Sequence, residues 1–173
     1  MEKKDLDWGN IGFSYMPTDK RYVANYKDGA WDGGAMTSDP NVVINECAGI
    51  LQYCQEIFEG LKAYTTEDGS IVTFRPDLNA ERMMDSARRL EMPPFPKERF
   101  LEAVDQVVKA NAAWVPPFGS GATLYLRPYM FASGPVIGVK PSQEYQFRLF
   151  GTPVGPYFKG GAKPLTLCVS DFD

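Results

Sequence analysis

The sequence predicts an α+β domain built on a mainly antiparallel sheet, and three observations carry that expectation. Strand-like and helix-like stretches come in groups rather than in strict alternation, which disfavours a doubly wound parallel sheet. The clearest hairpin, "LKAYTTEDGSIVTFRP", sets two alternating strands about an Asp68-Gly69 turn. The two longest apolar-rich strands, in 122–131 and "EYQFRLFGTPV", are separated only by a Gly/Pro loop, "SGPVIGVKP".

Taken in order, "RYVANYKDGAWDG" predicts a strand and then a Gly/Asp turn. From about Asn45 to Phe58, the residues Ile50, Leu51, Cys54, Ile57 and Phe58 fall at helical spacing, so a helix carrying Tyr53 and Phe58 is expected there. Gly60 ends it before the hairpin. A second helix follows in "LNAERMMDSARRL", with Asp77 or Asn79 as its cap and Met83, Met84, Ala87 and Leu90 as its apolar stripe. "MPPFP" breaks the chain. "KERFLEAVDQVVKANAAW" is the strongest helix, with Phe100, Leu101, Val104, Val107, Val108 and Ala112 on one side, and "VPPFGSG" stops it.

Residues 1–152 are expected to form the domain. Residues 153–164, "PVGPYFKGGAKP", hold three prolines and three glycines and predict a linker. Residues 165–173, opening "LTLCVSDFD", look like the first strand of a second domain, so the sequence reads as a piece of a longer protein.

Composition narrows the function. A chain of 173 residues, 44% hydrophobic, can bury a substantial core. Its 18 basic and 22 acidic residues, net −4, give no nucleic-acid footprint, and no apolar run approaches a membrane span. The start, "MEKKDLDWGN", is neither a signal nor a transit peptide. Cys47, Cys54 and Cys168 make no CxxC pair, which favours a reducing cytoplasm. The chain has no histidine. That removes Ser-His-Asp and Cys-His systems and His-ligated metals, and leaves lysine with an organic cofactor as the main route to proton chemistry.

Several motifs pull two ways. "GSGATL", "GPYFKGGAKP" and "SGPVIGVK" each miss a phosphate-loop requirement and read as loops. Arg82, in the first turns of its helix, is either a helix-surface arginine paired with Glu81 or Asp85, or a bidentate phosphate anchor. Arg127, in "YLRP", is either half of a structural ion pair at a sheet edge or the receptor of a ligand carboxylate. In the second case Tyr125 stands two residues away on the same face. Tyr53, Phe58, Ile137 and Val139 read most simply as packing residues.

Three stretches in this order and spacing, "YCQEIFEGLKAY", "FRPDLNAERMMDSARRLEMP" and "LYLRPYMFASGPVIGVKP", together resemble the branched-chain aminotransferases. These are pyridoxal-phosphate enzymes of fold type IV that move the amino group of leucine, isoleucine or valine to 2-oxoglutarate. The resemblance runs from about Trp8 onward, and "PVGPYF" matches the family's interdomain loop. It implies that Arg82 binds the cofactor phosphate and that Arg127 receives the side-chain carboxylate of glutamate or 2-oxoglutarate, with Tyr125 beside it. Phe58 and, more loosely, Phe13 become pocket walls. Tyr53, Ile137 and Val139 become residues offered across a homodimer interface, and Tyr157 part of a closing loop.

No catalytic residue is assigned within the chain. The resemblance puts the cofactor-binding lysine beyond Asp173, and Lys140, Lys159 and Lys163 stand in the wrong motifs. D-amino-acid aminotransferases and aminodeoxychorismate lyases share the fold type but match "FEGLKAY" and "YLRP" less well. A non-catalytic dimerisation or ligand-binding module is the reading from another class.

Overall fold

A computed structural model describes residues 2–157 and 163–170. Eight antiparallel strands form one sheet: β1 (Arg21–Lys27), β2 (Ala30–Trp31), β3 (Ala35–Thr37), β4 (Glu56–Phe58), β5 (Leu61–Thr65), β6 (Ile71–Thr73), β7 (Thr123–Ala132) and β8 (Tyr145–Val154). Their order is β2-β1-β8-β7-β5-β6, with β3 also pairing β1 and β4 also pairing β7. Among the described residues three α-helices accompany them, α1 (Gly49–Tyr53), α2 (Pro76–Arg89) and α3 (Lys97–Ala110). The expected α+β architecture with an antiparallel sheet is what forms.

Alternation along the central strands sorts their side chains to two faces. Leu124, Leu126 and Met130 of β7 and Phe147 and Leu149 of β8 are fully buried, and α2 and α3 supply Met83, Ala87, Phe100, Val104 and Val107 to the same core. Phe95, in the Pro-rich break between the helices, stacks on Phe147 at 3.9 Å and 6° and meets Trp31 edge-on. The break is thus a core plug. The opposite face carries Tyr125, Arg127, Tyr129 and Phe150, all half-buried.

One expected helix is mostly not a helix. α1 stops at Tyr53, Cys54 turns left-handed with φ 52°, and Glu56–Phe58 becomes β4. Backbone accounting gives the reason. β5 pairs with β7 only over Leu124–Leu126, so the polar edge of β7 beyond Pro128 needs another partner. β4 supplies it over Tyr129–Phe131, and Ala132 N–H donates to the Gln55 carbonyl. Pro128 sits where β4 hands over to β5. Its carbonyl accepts the Glu59 N–H at 2.8 Å, and its missing N–H falls at the same interruption.

The capping expectation for α2 also changes. The residue before the helix is Arg75, itself left-handed at φ 46°, and neither Asp77 nor Asn79 makes a side-chain cap bond. Asp77 instead accepts from Arg75 Nε at 2.9 Å and Nη2 at 2.8 Å, while Asn79 Nδ2 donates to Glu59 Oε2 at 2.8 Å. α3 ends at Ala110, and Ala112–Trp114 continues as a 3₁₀ turn. β3 carries no strand signal in the sequence and forms by pairing with β1. Residues 163–170 are assigned neither strand nor helix, and Lys159 and residues 171–173 lie outside the described residues.

Candidate functional site

Arg127 points to the open face of the sheet from the middle of β7, not from an edge. Its Cζ lies 4.4 Å from the centroid of Phe58 and 5.3 Å from that of Tyr125, and its Nε donates to Tyr125 Oη at 3.1 Å. No ion pair to Arg127 occurs among the described residues, so the structural-pair alternative is not what forms. A half-buried guanidinium held between the rings of Phe58 and Tyr125, with one donor taken by the Tyr125 hydroxyl, keeps most of its donors for an anion.

The surrounding wall comes from four segments. Phe58 is brought in by β4, opposite Tyr129 in register. Phe13, from the N-terminal segment, lies 6.3 Å from Tyr125 and 5.5 Å from Tyr157. That segment is pinned by the Gly155 N–H donating to the Gly12 carbonyl at 3.0 Å, and a Cβ on Gly155 would lie 2.0 Å from the Ile11 carbonyl oxygen. Phe13, Phe58, Tyr125, Arg127 and Tyr157 therefore converge. Phe58 remains 59% exposed, so the wall is open on its outer side.

Gly60 is required for this geometry. A Cβ there would come within 2.5 Å of Tyr125 Oη. Lys62 is a residue the sequence reading passed over. It stands directly opposite Tyr125 in the β5–β7 register, so it adds a second cation to Arg127's face. The signal was the alternation in "LKAY", which puts Lys62 on the side away from Leu61 and Ala63.

Arg82 pairs with neither Glu81 nor Asp85. Those acids are taken by Lys97 and Arg88, and Arg82 instead grips Glu59, Nε to Oε1 at 2.7 Å and Nη2 to Oε2 at 2.6 Å. Glu59 is buried while the Arg82 side chain stays 68% exposed. The fork is held from below and remains accessible above, which suits an oxyanion at its outer edge.

Tyr53 and Ile137 meet elsewhere, with Val139 two residues further along the same loop. The Tyr53 hydroxyl donates to the Ile137 carbonyl, and Gly49 N–H and Val136 N–H tie α1 to the loop after β7. The loop that carries Ile137 begins past Ala132, the end of β7, which lies about 17 Å along the strand from Arg127. Ile137 and Val139 are among the most exposed apolar side chains. Tyr129, deeper on the open face, has its hydroxyl pKa raised by burial, which keeps it neutral. No helix among the described residues is long and apolar enough to cross a membrane.

No protein-family model matches the chain. Curated relatives do. A branched-chain-amino-acid aminotransferase of Haemophilus influenzae is 54% identical over 170 residues, 98% of this chain and 50% of that protein. One from Helicobacter pylori is 48% identical, spanning 91% of this chain and 46% of its own, and an Arabidopsis thaliana relative named as chloroplastic is 45% identical. Among solved structures, the branched-chain aminotransferase of Thermoproteus uzoniensis with norvaline aligns at TM-score 0.65 and 24% identity, over 82% of this chain and 43% of that one. An Escherichia coli branched-chain aminotransferase aligns at 0.60 and 22%, over 79% and 41%.

The fold is that of the α+β part of fold type IV aminotransferases. By sequence the chain belongs with the branched-chain-amino-acid aminotransferases and corresponds to their N-terminal part, spanning about half the length of the relatives it matches. None of the relatives reported above is named as a D-amino-acid aminotransferase or a lyase.

Proposed function

We propose that this chain is the substrate-selecting, N-terminal part of a cytoplasmic, homodimeric branched-chain aminotransferase that passes the amino group of leucine, isoleucine or valine to 2-oxoglutarate. Its domain runs to the end of β8 at Val154, two residues past the boundary expected from sequence because Pro153 and Val154 pair with Leu124 and Thr123; the linker follows, and 165–173 are the start of a second domain. The observation that carries the reading is the uncompensated guanidinium of Arg127 between Phe58 and Tyr125. An aliphatic side chain packs on the rings of Phe58, Phe13 and Tyr157. A glutamate carboxylate takes the free donors of Arg127. One wall thereby accepts two chemically unlike side chains.

Pyridoxal phosphate, when bound, supplies an electron sink for bond breaking at the substrate α-carbon. The residues present fit one corner of it: Arg82, steadied by Glu59, offers its exposed edge to the phosphate. Tyr53, Ile137 and Val139 are exposed and apolar, which suits an isologous contact between two copies.

The test is Arg127→Ala in the full-length protein. The KM for glutamate and 2-oxoglutarate should rise about tenfold to a hundredfold, the equivalent of roughly 1.5–3 kcal/mol for a charge-assisted bond. The KM for leucine should change far less. Equal losses for both substrates together with a lower melting temperature would overturn the carboxylate role.

A further inference from the structure

The same face of the sheet holds a second cationic feature. A cleft of about 350 Å³ is lined by Tyr15, Arg21, Asn41, Tyr129, Arg148 and Phe150. Register places it next to the Arg127 site. Arg148 stands opposite Tyr129, and Phe150 stands opposite Arg127, so Tyr129 and Phe150 form the partition between them. The two rings meet edge-on at 6.0 Å, and Tyr15 closes the outer side against Phe150 at 5.7 Å.

Both arginines are more than nine-tenths buried, at 4% exposure for Arg21 and 8% for Arg148. Their acceptors among the described residues are all neutral. Arg21 Nη1 donates to the Ser38 carbonyl at 2.6 Å and Nη2 to the Thr18 carbonyl at 2.9 Å. Arg148 Nη2 donates to the Asn41 carbonyl at 3.1 Å and Nη1 to Gln146 Oε1 at 3.3 Å. Arg21 Nε is buried with no acceptor among the described residues. Neither arginine forms an ion pair among the described residues.

The charge of Glu56 reaches Tyr129, and Asp39 is an acid whose charge reaches both arginines. Its carboxylate is turned to the Asn41 N–H at 2.9 Å and Asn41 Nδ2 at 2.8 Å. Its pKa is lowered first by that backbone bond and only then, among the favourable influences of charge, by Arg148 and Arg21. Two buried guanidinium charges bonded only to neutral oxygens are costly unless an anion joins them. Planar forks with unused donors and aromatic walls match a carboxylate in shape and charge.

We propose that the Arg21–Arg148 cleft binds a small carboxylate anion, at a site separate from Arg127 and divided from it by Tyr129 and Phe150. The proposal rests on these two arginines and not on the aminotransferase reading, and its test reads binding alone.

Succinate is titrated calorimetrically into the full-length protein carrying Arg127→Ala, which removes the neighbouring carboxylate position. A saturable isotherm is expected, weakened at least tenfold by a further Arg148→Gln and largely restored by Arg148→Lys. Crystals of the otherwise unaltered protein soaked in succinate give an independent reading should Arg148→Gln not fold, with density expected between the two guanidinium groups. The proposal is overturned by an absence of saturable heat or by an isotherm indifferent to Arg148→Gln. It is equally overturned by tighter binding of inorganic phosphate than of succinate, or by crystals in which a carboxylate side chain of the protein itself fills the cleft.

Discussion

Glu59, buried to 4% exposure, holds the guanidinium of Arg82 by two bonds of 2.7 and 2.6 Å while Arg82 itself remains largely in solvent. The pair is asymmetric. Its acid is a buried group that depends on its partners, and its base is a surface group that can be rehydrated. Asn79 is the other donor to the acid.

Removal of the base should therefore hurt stability more than neutralisation of the acid. Arg82→Ala leaves a buried carboxylate with Asn79 as its remaining side-chain donor and should cost about 1–3 kcal/mol. Glu59→Gln keeps the shape and frees Arg82 to water, so a smaller loss is expected. Chemical denaturation of both variants checks the order. If Glu59→Gln proves the more damaging, the burial asymmetry is not what governs the pair.

Gly60→Ala should act on Arg127 through Tyr125. The new Cβ would stand 2.5 Å from Tyr125 Oη, so the phenol must move and its bond from Arg127 Nε is lost. A destabilisation of about 1–3 kcal/mol is expected. It should come with a KM for 2-oxoglutarate that rises more than that for leucine. Wild-type melting and an unchanged KM ratio would show that Tyr125 does not position the arginine.

Phe58 and Leu126 should separate function from stability. Leu126 is fully buried in the core, and Leu126→Ala should cost about 2–5 kcal/mol. Phe58 is mostly exposed and stacks on Arg127, so Phe58→Ala should cost only about 0.5–1 kcal/mol. Its effect should appear in the KM for leucine. Melting curves beside substrate titrations read both, and a Phe58→Ala protein as unstable as Leu126→Ala would make Phe58 a core residue.

Asp77 gives a prediction in pH. Its carboxyl is lowered to about 2, first by the hydrogen bond from Arg75. Because the folded pKa is depressed, any stability from this contact is present above the unfolded value of about 3.9 and is lost as pH falls toward 2. Carboxyl NMR should find Asp77 titrating near 2 in the wild type and returning toward its ordinary value in Arg75→Gln. An unchanged titration in the variant would point to another cause, such as the field of the helix start.

What the sequence determined by itself is what short-range periodicity and composition encode. The α+β class, the Asp68-Gly69 hairpin, α2, α3 and the two long strands all follow from local pattern. So does Arg127's sharing of a face with Tyr125, since alternation along a strand is a property of the chain alone. The absence of histidine likewise needed no structure to show that this chain's own residues offer no imidazole chemistry.

Tertiary structure decided the rest, because those choices depend on partners distant in the chain. Ile57 and Phe58 continue the helical spacing of Ile50, Leu51 and Cys54, yet the unpaired edge of β7 recruits Glu56–Phe58 as β4 and so delivers Phe58 to Arg127. Arg82 had two acids within one helical turn, yet it binds Glu59, which lies 23 residues earlier and is buried beneath it. Lys62, Arg21 and Arg148 join Arg127 on one face only through cross-strand register. A spacing rule registers neighbours along one element. Where an edge must be paired and a buried charge answered, the competing partners come from across the fold, and their energies outweigh a local preference of a few tenths of a kcal/mol per residue, roughly.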